Sequence, residues 1–441
     1  YVREERTGGQ VGFRRGEISN TPQYGLGLDN ELVDLFGKRG FIFKNDARKS
    51  IGMIGSLRQH TVDAFFGLRT YEATERSGTF NTIYQQLLRD GNDQLKTAIS
   101  FNYARYDERY DPTSAVAGDS TFNREELVPG AFIEHTLKRG SFTMVSGARV
   151  DHNTAYGTFF SPRVHLKYDL GPLSVLRASA GSGWRTANPV VENAGVLASS
   201  RTLIVQEGLD AEQSWNIGAG VLHKFKWLKH KWVLGLDVYR TEFTQQVVVD
   251  MDRDAHQLVL SNLHGPSFAN TVQADAQVEL TKALQLKLAY RWYDARTSYH
   301  GTLLRRPFTP EHRAMVDLAF TSGNEKWRAD ATLNWFGPSR IPDLSTNPDA
   351  AAVKTSSPDY AVMHVQLTRV LGAVDLYLGV ENLLDREQEV RIIAPDDAFG
   401  PNFDASIIWG PTNGRMFYGG LRYTLKKKKT DNGQPSTTNN P

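Results

Sequence analysis

Residues 284–293 read Leu-Gln-Leu-Lys-Leu-Ala-Tyr-Arg-Trp-Tyr. Leu284, Leu286, Leu288, Tyr290 and Trp292 take alternate positions, with Gln285, Lys287, Ala289, Arg291 and Tyr293 between them. A helix buries positions three and four apart, whereas a strand sends successive side chains to opposite faces. This stretch is a two-faced strand. The same period governs 163–170, where Val164, Leu166, Tyr168 and Leu170 alternate with Arg163, His165, Lys167 and Asp169. It governs 327–335 as well, with Trp327, Ala329, Ala331, Leu333 and Trp335 on one side.

Working outward in both directions yields about 18 such segments, the first at 10–16, one spanning 257–280 and the last at 413–425. Their connections alternate in length. Short ones fall at 138–140, 171–172, 281–283, 322–324 and 371–372; long ones at 61–73, 107–122, 185–208, 338–357 and 385–412. Tight turns at one end and long loops at the other are the mark of an antiparallel β-barrel that crosses an outer membrane. The face chemistry agrees, because the apolar rows carry Trp292, Trp335 and Tyr423 near strand ends, where amphipathic rings suit the headgroup level. The opposite rows hold Arg, Lys, His, Asp and Asn, which a dry core could not accommodate unpaired but a hydrated or polar lumen can. The expected fold is therefore all-β, a transmembrane antiparallel barrel over residues 1–425 followed by a polar basic tail over 426–441. A soluble all-β enzyme is the competing architecture.

Composition sets further bounds. Of 441 residues, 40% are hydrophobic and 11% aromatic, which excludes a disordered chain. Lys plus Arg total 51 against 49 Asp plus Glu, so no broad basic field exists to hold nucleic acid. The chain has no cysteine, which removes disulfides, thiolate catalysis and Cys-zinc sites. The stretch 255–274, free of Asp, Glu, Lys and Arg, still contains His256, Gln257, Ser261, Asn262, His264 and Pro266, so no helix spans a membrane. The chain opens at Tyr1 without Met or an apolar leader, which points to a removed signal or to preceding sequence.

Several segments, in order, resemble the C-terminal barrel of TonB-dependent outer-membrane receptors, especially those of Bacteroidota. They are 176–193 (Leu-Arg-Ala-Ser-Ala-Gly-Ser-Gly-Trp-Arg-Thr-Ala-Asn-Pro-Val-Val-Glu-Asn), then Leu209, Glu212, Ser214, Asn216, Gly218 and Gly220, then Asn262-Leu263. Val380-Glu381-Asn382-Leu383-Leu384-Asp385 and Gly414-Arg415 before Tyr418-Gly419-Gly420-Leu421-Arg422-Tyr423 complete the series. Such transporters have about 22 strands and a plugged lumen. The resemblance thus implies about four earlier strands, a plug domain and a short TonB-contacting segment outside this chain. Family barrels usually end in an aromatic residue, whereas Leu425 is followed here by Lys426–Lys429. A solvated extension is the expected reading of that tail.

No catalytic constellation stands out: there is no Gly-x-Ser-x-Gly elbow, His-Glu-x-x-His or phosphate loop. Asp250, Asp252 and Asp254, or Asp396 with Asp397, could supply oxygen ligands for calcium, yet no Glu follows at EF-hand spacing. The eleven histidines form no His-x-His pair, so no metal or cofactor is called for. The best ligand-binding candidates sit where the barrel meets loop 185–208: Arg185, Asn188, Glu192 and Arg201. An arginine fork suits carboxylate or catecholate ligands because it holds a planar anion at two points. Pairing with neighbouring strands or a plug is the alternative role for the same residues.

By resemblance, the expected activity is energised uptake of a scarce solute through TonB, with a ferric siderophore or other metal chelate first among ligands and cobalamin, haem and glycan also open. Outer-membrane lipid and TonB are the expected partners and the cell outer membrane the expected location. The alternative is an 18-strand, substrate-selective passive porin.

Overall fold

The computed structural model describes residues 1–16, 23–112, 120–206 and 208–425. Its strands, in order, are β1 (Val2–Gly9), β2 (Gly25–Phe43), β3 (Asp46–Phe66), β4 (Arg69–Leu88), β5 (Asp93–Asp111), β6 (Ser120–Thr121), β7 (Arg124–Arg139), β8 (Phe142–Asn153), β9 (Gly157–Gly171), β10 (Ser174–Arg185), β11 (Thr202–Val205) and β12 (Glu212–Trp227). Then come β13 (His230–Gln245), β14 (Val247–Asp250), β15 (Gln257–Asn262), β16 (Ser267–Glu279), β17 (Leu284–Tyr299), β18 (Thr302–Arg305), β19 (His312–Thr321), β20 (Trp327–Phe336), β21 (Tyr360–Leu371), β22 (Val374–Glu381) and β23 (Met416–Tyr423). Four short 3-10 segments are the helical content of the described residues, and none is long and apolar enough to cross a membrane.

Twenty strands form one antiparallel sheet, and three others, β11, β15 and β14, form a small sheet of their own. In the large sheet, β6 and β18 are short pieces within loops, and the remaining strands number 18, the count that the alternation leads one to expect, though not every one lies where expected. The sheet is open, because β1 pairs with β2 alone and β23 with β22 alone among the described residues.

Register carries the two-faced pattern from strand to strand. Leu288 lies opposite Ala276 on one side and Val316 on the other, and Val316 in turn lies opposite Leu333. Directly opposed residues share a face, so these side chains build one continuous apolar belt. Leu288 is 37% exposed and Tyr290 44%, so no other part of the chain covers this belt. One residue further along, Lys287 lies opposite Gln277 and Asp317, which makes the other face polar. Glycine serves this face where a cross-strand side chain crosses it. A Cβ at Gly218 would run into the Tyr239 ring, and one at Gly220 into the Asp237 carboxylate.

One end of the sheet carries only tight connections, at 44–45, 89–92, 140–141, 172–173, 228–229, 280–283, 322–326 and 372–373. The other end carries every long loop, including 186–211, 246–266, 337–359 and 382–415. Three expectations need correction. Residues 61–73 are not a loop, because β3 and β4 continue to a turn at Gly67-Leu68; their extra residues alternate as well as those before them. The first strand is Val2–Gly9, while the described part of 10–16 forms turns. Segment 257–280 is two strands, β15 and β16, split at Leu263–Pro266 and assigned to different sheets. The tail 426–441 lies outside the described residues.

The long loops have a dry core of their own. Val247, Met251, Ala255, Leu258, Leu260, Ile341, Leu344, Ile393 and Ile407 are all buried together. Four loops contribute to it, and the small sheet β11–β15–β14 is its scaffold. Into it projects Arg201, whose side chain is 1% exposed and pairs with Asp404 at 2.9 Å. The guanidinium also donates to the Gln257 carbonyl at 3.1 Å, and Asp404 accepts from the Ser406 amide at 2.7 Å. A second bridge, Asp252 with both Arg340 nitrogens at 2.6 and 2.9 Å, joins loops 246–266 and 337–359. Arg69 fastens this cap to the wall by donating to the carbonyls of Ser199 and Arg201.

Two outcomes follow. Leu288→Arg sets a charge in the apolar belt, at about 2–4 kcal/mol near a bilayer midplane, whereas Ala289→Arg joins the polar row beside Asp275 and Met315. The first should abolish the heat-modifiable, membrane-inserted species and the second should leave it; equal loss would remove the face assignment. Asp404→Ala strands the Arg201 charge at about 3–5 kcal/mol, so limited proteolysis should cut the 382–415 loop far faster. The double change Arg201→Met with Asp404→Leu should restore most of the protection.

Candidate functional site

Strand β10 runs up the wall and delivers Arg185 to its rim, after which loop 186–211 turns back over it. The Arg185 guanidinium forks onto Glu192, at 3.0 and 2.9 Å, and its Nε donates to Glu212 on the adjacent strand β12. The Asn188 amide donates to Glu192 at 3.0 Å, and the Asn188 side chain accepts from Arg124. Three of the four residues singled out from the sequence, Arg185, Asn188 and Glu192, thus form one network. Arg201 stands apart, buried in the loop core with Asp404. Both arginines precede a threonine in the same stretch 185–208, and long-range packing against Asp404 sets their surroundings apart.

Below this network the wall adds groups that alternation alone did not single out. Arg124 pairs with Glu126 and lies 4.5 Å over the Tyr106 ring. Glu126 accepts from Asn153 at 2.7 Å and from Thr186 at 3.3 Å. Arg149 forks onto Asp151, which also accepts from the Trp184 indole at 3.3 Å. Trp184 stacks on Phe159 at 4.1 Å. Register was the available signal, since Arg185 lies opposite Glu212 and Asp151 opposite Phe159.

These residues border two concavities. One, of about 640 Å³, lies against the wall and is lined by Phe132, Glu134, Arg149, Asp151, Trp184 and Arg185. The other, of about 670 Å³, lies under the loops and is lined by Glu108, Arg124, Tyr156, Pro189 and Leu209. Nearly every guanidinium here already holds a carboxylate, so the site is close to charge-balanced. Arg185, 58% exposed at its side chain, is best placed to exchange; Glu192 is 35% exposed and Glu212 12%.

The acidic loop does not assemble an ion site. Asp252 is taken by Arg340, Asp250 by His300 at 2.6 Å and Asp254 by His256 at 3.1 Å. The His256 backbone N–H, ahead of the other contacts, holds the Asp254 carboxyl below its ordinary value. Among the described residues no group of three or more His, Asp or Glu could hold a metal.

Three solved structures share this architecture. The ferric enterobactin receptor PfeA of Pseudomonas aeruginosa, in a mutant form, aligns over 91% of this chain and 67% of its own at 16% identity, with a TM-score of 0.60. The copper transporter OprC aligns over 91% and 68% at 14% identity and a TM-score of 0.67. The ferric citrate transporter FecA, in its unliganded form, aligns over 91% and 62% at 13% identity and a TM-score of 0.61. At these identities the likeness is one of fold. No curated protein matches the chain. The passive-porin alternative is not supported, because the family model that matches most of the chain describes receptors. This model, described as TonB dependent receptor-like, beta-barrel, matches residues 5–383, and the chain belongs to that family.

Proposed function

We propose that this chain is the barrel of an outer-membrane receptor that takes up a scarce solute by the TonB-driven route, with a ferric siderophore or other metal chelate as its ligand. The observation that carries the reading is the exposed Arg185 fork at the rim, held by Glu192 and Glu212. Its position beneath the long loops is where a solute arriving from outside first meets the wall. A ligand carboxylate or catecholate has the planar two-oxygen geometry of the Glu192 group it would displace. The displacement is an exchange of like contacts, so capture and release need no covalent chemistry. Asn188 then offers an amide, and Glu192, once freed, accepts donors from the ligand. Arg201 has the supporting role of holding the loops closed through Asp404.

The solved relatives in fold include a siderophore receptor, PirA of Pseudomonas aeruginosa, and the ferric citrate transporter, which favours metal chelates over cobalamin, haem or glycan. Outer-membrane lipid on the apolar belt and TonB as the energy source complete the reading.

Growth on single iron, vitamin, haem or glycan sources tests it, comparing cells that carry the complete gene, its deletion and point variants. The deletion should fail on one iron chelate, and Arg185→Ala should raise the chelate concentration needed by about tenfold, the loss of one charge-assisted fork. Arg201→Met should lower the amount of receptor assembled without changing its affinity. Equal growth of deletion and wild type on every source would overturn the proposal.

A further inference from the structure

Away from the Arg185 network, five residues lie side by side on the polar face of neighbouring strands: Gln273, Arg291, Arg313, Phe336 and Tyr360. Each is the direct cross-strand partner of the next. Arg291 and Arg313 are therefore opposed like charges, an arrangement that weakens a sheet. Two nearby carboxylates are engaged elsewhere, Asp294 with Arg296 and Arg305 and Glu311 with Arg305, and Asp275, diagonal to Arg291 on the same face, makes no ion pair with it among the described residues. Neither Arg291 nor Arg313 makes an ion pair among the described residues, and the Arg313 Nε is buried without a hydrogen-bond partner.

Aromatic rings wall one side of this pair. The Arg313 guanidinium lies 5.1 Å from the Phe336 ring centre, Phe336 stacks on Tyr360 at 4.9 Å, and Tyr360 meets Trp409 at 5.8 Å. The Tyr360 hydroxyl donates to the Trp409 carbonyl at 3.0 Å, which locks the loop ring onto the strand ring. Arg313 is the second residue of β19, Phe336 the last of β20 and Tyr360 the first of β21, so the row sits at the loop-bearing end. Arg185 on β10 is four strand spacings from Arg291, roughly 19 Å along the sheet.

The geometry points to a second binding site here, for a planar aromatic carboxylate. The carboxylate lies between the two guanidiniums and offsets their repulsion, and the ring of the ligand packs against the edge of the Phe336–Tyr360–Trp409 row. An aliphatic carboxylate satisfies only the first half of this site, and a neutral ring only the second. The assignment rests on the uptake reading and narrows its ligands to chelates or carriers that bear an aromatic carboxylate.

Titration of the full protein in detergent micelles with salicylate, followed by salicylate fluorescence and by calorimetry, tests the site, with citrate and benzyl alcohol as the two half-matching probes. Saturable salicylate binding is expected, with Arg313→Gln and Arg291→Gln each weakening it by about tenfold or more. Tyr360→Leu should weaken salicylate and leave citrate unchanged. Where a glutamine variant fails to assemble, Arg313→Lys keeps the charge and removes the fork; a severalfold loss is expected and wild-type affinity overturns the clamp. Unchanged salicylate binding in the arginine variants, or citrate binding as tightly as salicylate, also overturns it. Uptake of a chelate without salicylate binding removes this inference alone. Salicylate binding without TonB-driven uptake of any chelate removes the uptake reading and leaves the site.

Discussion

Cross-strand register is the constraint on which the rest of this molecule depends. A strand has a side-chain period of two, so a slip of one residue would turn every apolar side chain to the polar face and every charge to the apolar one. The pairings of β16, β17, β19 and β20 keep Ala276, Leu288, Val316 and Leu333 together and, one step along, Gln277, Lys287, Asp317 and Thr332. Backbone hydrogen bonds alone do not distinguish these registers. The difference in solvation between the two faces does, and it acts on all the strands at once.

That same solvation divides the molecule into two kinds of interior. Along the wall, charged groups are satisfied in pairs across the polar face, as with Glu134 between Lys96 and Arg163. At the loop end the interior is that of an ordinary globular domain, with leucines, isoleucines and valines packed around a buried ion pair. Such a pair is costly to desolvate and contributes mainly when its remaining hydrogen bonds are made. Arg201 and Asp404 meet that condition in large part, through the carbonyls of loop 246–266 and the Ser406 amide. The result is a loop cap that leaves Arg185 exposed at its edge and keeps Arg201 from contact with solvent.

Under the uptake reading proposed above, binding at such a rim depends on exchange more than on vacancy. Arg185, Arg124 and Arg149 already hold carboxylates, so an incoming anion gains the difference between two similar contacts and remains releasable. The Arg291–Arg313 pair differs, because its repulsion is not yet compensated within the wall and a bound anion relieves it. The two places thus offer one easily exchanged contact and one that favours occupancy.

The strand periodicity of 284–293, 163–170 and 327–335 was legible from residue order, because alternation is a local property and the faces it creates differ in chemistry. The ordered landmarks from 176 to 423 carried the family likeness for the same reason, being local strand patterns in series. Order alone misjudged where β3 ends and β4 begins, since a turn of two residues, Gly67-Leu68, leaves little trace between strands that alternate right up to it. It merged β15 with β16, because both have strand-like residues and their assignment to different sheets is a matter of what lies across from them. Sequence by itself determined that every strand has one face for hydrocarbon and one for polar groups, since each residue brings its own solvation free energy wherever it sits. Only the tertiary structure decided which arginine stays exposed: Arg201 is buried against a carboxylate 203 positions away, Arg185 pairs at the surface with one seven positions away, and a charge's surroundings depend on distance through space, which chain order does not contain.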